Sequence, residues 1–181
     1  MGLVVPHGLP LSKQASLDGQ TTTGCHVCLV ACPARSYRPE AMPAHDHGQE
    51  GFVAETAGIQ VRVQVFFLED QSHPEDRHFL WAYRIRIENR GSATVQLMRR
   101  AWEITDGSGQ VQHVHGAGVV GEQPVLDPGD VFEYTSGTPL KTPTGFMRGI
   151  YIMVAVDSGE SFDVAIPAFS LDSPYQSGRL H

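Results

Sequence analysis

Gly116-Ala117-Gly118-Val119-Val120-Gly121-Glu122-Gln123-Pro124 can be read in two ways, and each gives a different protein. Gly116, Gly118 and Gly121 satisfy G-x-G-x-x-G, which in a dinucleotide-binding fold joins a strand to a helix and seats a pyrophosphate on the helix N-terminus. No helix can follow here. Pro124 arrives within three residues of Gly121, Asp127-Pro128-Gly129-Asp130 reads as a turn, and Val131-Phe132-Glu133-Tyr134 reads as a short strand. The glycines therefore lie between two β segments, where glycine marks bulges, tight bends or close backbone approach. A phosphate loop would also need basic neighbours. Between Trp102 and Leu140 there is no Lys or Arg, so only Lys141 and Arg148 are expected to reach this stretch through the fold.

On either side of the glycines the sequence alternates with period two. Ile59, Val61, Val63, Val65 and Phe67 share one face of a strand, with Gln60, Arg62 and Gln64 on the other. Phe79, Trp81, Tyr83, Ile85 and Ile87 form a second strand, turned by Asn89-Arg90-Gly91-Ser92. In the next segment Val95 and Leu97 fall on one parity and Trp102 and Ile104 on the other, which a β-bulge near Leu97 and Met98 reconciles. Asp106-Gly107-Ser108-Gly109 predicts a hairpin into Val111, and a strand containing Ile150, Ile152, Val154, Met147, Tyr151 and Met153 is apolar on both faces. Asp157-Ser158-Gly159 leads to Phe162, Val164 and Ile166, and Pro167 is expected to end the pairing. Seven or eight short strands without a helix predict an all-β chain, a two-sheet β-sandwich of immunoglobulin or fibronectin type III character.

Residues 1–58 show no usable periodicity and are expected to be a disordered or loosely attached extension. Residues 59–171 are expected to form the sandwich, and 172–181 a C-terminal tail. Residues 1–41 carry Lys13, Arg35 and Arg38 against Asp18 and Glu40, whereas the remainder is strongly acidic. That shift makes Met42 a candidate alternative start. The chain has 181 residues, 41% of them hydrophobic, and a formal net charge of −7, which opposes binding to nucleic acid or to an anionic membrane. No apolar run approaches the length of a membrane span, and the N-terminus lacks a signal-peptide pattern, so a cytoplasmic location is expected. All three cysteines lie in the first 32 residues, and the sandwich is expected to hold together without disulfides.

These segments resemble the ApaG family. The resemblance is carried by Pro74-Glu75-Asp76-Arg77 before the Phe79 strand, Trp102-Glu103-Ile104-Thr105-Asp106-Gly107, Gly118 through Pro124, and Pro128-Gly129. Tyr134-Thr135-Ser136-Gly137-Thr138, Thr142-Pro143 with Gly145, and Ile166-Pro167-Ala168-Phe169 continue it in order, from about Ile59 to Leu171. The resemblance implies a fibronectin-type sandwich that occurs alone in bacteria and as a module of larger eukaryotic interaction proteins. It also implies an association with cobalt and magnesium tolerance. His113 and His115 depart from the acidic, polar character usual for that strand in the family.

Candidate chemistry is sparse. Cys25, Cys28 and Cys32, with His7 or His26, have spacing that could serve zinc or part of a cluster, but a fourth cysteine is absent. His113 and His115 share a strand face and could chelate a transition metal, and His45 and His47 could do so weakly. Asp127 and Asp130 could hold a hard cation, although D-P-G-D is first a turn, and Ser136 is expected on a turn bonding backbone amides. No nucleophile–base pairing is evident, so no enzymatic activity and no cofactor are expected. The leading expectation is an interaction module that binds a protein partner through Gly116, Gly118, Val119, Val120, Gly121 and Glu122. The alternative is a nucleotide or pyrophosphate site at the same loop, with a divalent metal. The sequence leaves oligomeric state open.

Overall fold

A computed structural model describes residues 51–176. The cysteines, His7, His26, His45, His47 and Met42 lie outside the described residues. Among the described residues nine strands follow one another: β1 Phe52–Thr56, β2 Ile59–Phe67, β3 Phe79–Asn89, β4 Val95–Asp106, β5 Val111–Ala117, β6 Val125–Leu126, β7 Val131–Leu140, β8 Thr144–Ala155 and β9 Ser161–Asp172. They form two antiparallel sheets, β1-β2-β3-β7 and β5-β4-β8-β9, with β6 paired to β4. The architecture is the all-β, two-sheet sandwich that the alternation predicts. The inward parities interlock to exclude water: Val61, Val63, Trp81, Ile85 and Ile87 from one sheet meet Leu97, Tyr151, Met153 and Phe169 from the other, all fully buried. Among the described residues, no helix is long and apolar enough to cross a membrane.

The register of β4 against β8 shifts between Leu97 and Arg99, placing the bulge where the parity changes. Four expectations are corrected. The first strand begins at Phe52, not Ile59: β1 pairs with β2 through the Ala57-Gly58 turn, and the Thr56 hydroxyl accepts a hydrogen bond from the Ala165 amide of β9 at 3.2 Å. β7 continues well past Tyr134, so Thr135-Ser136-Gly137-Thr138 is strand and not turn. Pro167 does not end β9. The β8–β9 register shifts between Met147 and Gly149, Ile166 pairs with Gly149, and pairing resumes at Phe169, so proline occupies a bulge that needs no N–H. The first residues assigned to the tail are packed: Ser173 is buried and its hydroxyl donates to Pro143 O at 2.6 Å, while the Tyr175 ring lies 6.1 Å from both Phe67 and Phe79.

Candidate functional site

The connection from β5 to β7 carries the candidate residues. At its tip the Val119 amide donates to Glu122 O at 2.8 Å, and the Glu122 amide returns a bond to Val119 O at 2.9 Å. Val120 and Gly121, between them, have φ of 44° and 84°. Positive φ at both central residues is the signature of a type I′ turn, which normally calls for Asn or Gly. Valine at this angle is a backbone outlier, because a β-branched side chain crowds the adjacent carbonyl. Gly118 cannot be replaced without rebuilding the turn: at φ 55°, an added Cβ would stand 2.0 Å from Glu122 O. The two valines part company. Val119 is 0% exposed and belongs to the core, whereas Val120 is 41% exposed.

The turn is laced to β4. Gly118 N donates to Met98 O at 2.9 Å, the Gln123 side-chain amide donates to the same carbonyl at 2.8 Å, and Leu97 N donates to Pro124 O at 3.0 Å. Arg100 adds a bond to Ala117 O at 3.1 Å and another to Gly118 O at 2.6 Å. Its guanidinium occupies the place where a side chain at Gly116 would sit, with a Cβ there only 2.9 Å from Arg100 Nη1. The expectation that only Lys141 and Arg148 could supply positive charge is therefore overturned. Arg100 and Arg99 lie directly across the strand pair from Gly116 and Ala117, and Arg148 is instead ion-paired with Glu103 at 2.7 Å. Strand proximity hid this in the sequence, since the arginines precede the glycines by a whole hairpin. Arg99, Arg100, His115, Gly116, Ala117 and Ile152 line an open depression beside the turn.

His113 and His115 are both exposed on β5, opposite Glu103 and Ala101. Among the described residues, no three His, Cys, Asp or Glu side chains come together as a metal cluster. The D-P-G-D carboxylates are committed to their own turn: Asp130 Oδ2 accepts from Asp127 N at 3.0 Å, and Asp127 Oδ1 accepts from the Thr94 hydroxyl at 2.7 Å. Sequence reading missed Asn89, which organises this end. Fully buried, its side-chain amide donates to Ala93 O at 2.9 Å and to Leu126 O at 3.0 Å, and its Oδ1 accepts from Gly91 N at 3.0 Å. Its backbone also bonds Asp130 O and Gly129 N.

Ser136 sits in mid-β7 opposite Tyr83. The Tyr134 and Tyr151 hydroxyls share a bond of 2.6 Å in the core. Burial pushes Tyr83, Tyr134 and Tyr151 above the ordinary phenol range, and the nearby positive charge of Arg100 only partly offsets it. Such phenols stay protonated at neutral pH and serve as packing groups with internal hydrogen bonds, not as bases.

Comparison with known proteins agrees with this architecture. Residues 69–155 match the model of the ApaG domain. Protein ApaG of Paramagnetospirillum magneticum is 64% identical over 126 residues, 70% of this chain and 96% of that protein. Protein ApaG of Rhodospirillum centenum is 61% identical over 124 residues, 68% of this chain and 95% of that one. The crystal structure of the ApaA protein from Bordetella pertussis superposes with a TM-score of 0.62 at 47% identity, covering 65% of this chain and 95% of the other.

Proposed function

Because this chain belongs to the ApaG family, we propose that it is a non-enzymatic interaction module whose turn at residues 119–122 inserts into a protein partner. One observation carries the reading: an apolar side chain, Val120, is held out to solvent at a backbone angle its own chemistry disfavours. A strained position persists only where surrounding structure over-determines it, and here Val119, Gly118 and the bonds to β4 do so. A tip fixed in advance loses little conformational freedom on binding, which favours affinity from a small contact. Any tie to cobalt or magnesium tolerance would then run through the partner. In cell extract, the full chain should capture a specific partner that Val120→Glu loses while melting at the parent temperature. Identical capture by both would remove the turn from the interface.

A second reading, a pyrophosphate or nucleotide site with a divalent metal, gains support from Arg99 and Arg100 standing beside the glycines. Against it, the Arg100 guanidinium is already spent on two carbonyl oxygens, and among the described residues no helix N-terminus faces the loop. Calorimetry giving a micromolar Kd for pyrophosphate, about 8 kcal/mol, would reverse the order of the two readings.

A further inference from the structure

The outward side of β8 breaks the usual rule for a two-layer sandwich. Its inward residues Met147, Tyr151 and Met153 are buried, yet beyond the exposed Arg148 the outward ones are Ile150, Ile152 and Val154, each half-buried. An antiparallel sheet facing water normally alternates to polar residues. The flanking strands sharpen the pattern. Ile150 lies between Ala101 of β4 and Ala165 of β9, and Ile152 lies between Arg99 of β4 and Asp163 of β9. Arg99 and Asp163 are both exposed. The aliphatic row thus has equal small residues on its two sides at one level and opposite charges on its two sides at the next.

We propose that this face docks a second copy of the chain, the two sheets packing face to face about a twofold axis that runs along β8 near Ile152. Such an axis exchanges the left and right flanks of the facing sheet. It sets Ile152 over its own copy, Ala101 over the partner's Ala165, and Arg99 over the partner's Asp163, so both charges are answered twice. An axis running across the strands at the same point would instead set Arg99 over the partner's Arg99 and Asp163 over the partner's Asp163, like charge against like. Arg148 itself lies four residues from Ile152, roughly 14 Å along the strand. There it is ion-paired with Glu103, and aligned sheets crossing by about 30° have diverged. Self-complementarity of this kind is what an isologous interface requires. The glycine turn stays at the rim, beyond β4, and remains open to a different partner.

Three or four rows of side chains make a small interface, so the association should be concentration-dependent, with a Kd on the order of tens of micromolar. Sedimentation equilibrium of the full chain should show monomer and dimer in that range. Ile152→Glu should weaken the dimer at least about tenfold with an unchanged melting temperature, as truncating a central apolar anchor does. Arg99→Asp and Asp163→Arg should each weaken it, and the two together should restore it, because the charges then meet in exchanged positions. A chain that remains monomeric at the highest concentration, a dimer indifferent to Ile152→Glu, or a double variant no better than either single one would overturn the proposal.

Discussion

The connection between β5 and β7 holds two tight turns of opposite construction. At residues 119–122, glycine and strain shape the backbone, and the exposed side chain is an aliphatic one. At residues 127–130, hydrogen bonds shape it: Asp130 N donates to Asp127 O at 2.9 Å, both carboxylates are occupied, and buried Asn89 ties the turn to β6 and to the β3–β4 loop. The difference teaches where each turn's free energy is held. The aspartate turn is satisfied internally and has little left to offer a partner, whereas the valine turn carries an unfavourable angle and uncovered apolar area that an interface could relieve.

The largest expected effect tests the aspartate turn. Asn89→Leu leaves Leu126 O, Ala93 O and Gly91 N without their buried partner and should cost about 2 to 4 kcal/mol in urea denaturation. A loss within about 0.5 kcal/mol would mean the amide is not the anchor described. At the other turn, Val119→Ala should cost roughly 1 to 3 kcal/mol through lost burial and a cavity. Val120→Ala should stay within about 0.5 kcal/mol, and equal losses at the two positions would erase the distinction between anchor and tip.

The third test concerns the phenols beside Arg100, which supports only the valine turn. The folded-state pKa values of Tyr83, Tyr134 and Tyr151 are raised, so the stabilisation linked to their neutral form is present in full below the unfolded value near 10. It is lost as pH rises above that value toward the folded ones, at about 1.4 kcal/mol per pH unit for each phenol. Stability should therefore fall more steeply above about pH 10 in the parent than in Tyr134→Phe. Equal slopes in the two proteins would mean that Tyr134 is solvated or already ionised in the fold.

The sequence made the sandwich legible wherever a strand buries one face. Ile59 to Phe67, Phe79 to Ile87 and the parity change at Leu97 follow directly from period-two alternation. β1 escaped because Phe52–Thr56 is a short edge strand that buries little and so writes no pattern. The second half of β7 escaped because Thr-Ser-Gly-Thr-Pro has turn composition, while its register on β3 is set by tertiary pairing. At the candidate site, the glycines announced an unusual backbone. Arg100 and Asn89 could not be identified, since the carbonyls that Arg100 binds lie 17 and 18 residues away and the Leu126 carbonyl that buries the Asn89 amide lies 37 residues away in the chain.

β1 and β9 lie side by side at one edge of the sandwich, with the Phe52 ring 6.1 Å from that of Phe169. The valine turn follows β5, at the opposite edge of the second sheet, three strand spacings or about 14 Å from β9. A tether joined before Phe52 would therefore leave from the flank facing away from the turn. The arrangement suits a cartridge, mounted by its back edge with the valine turn still pointing outward.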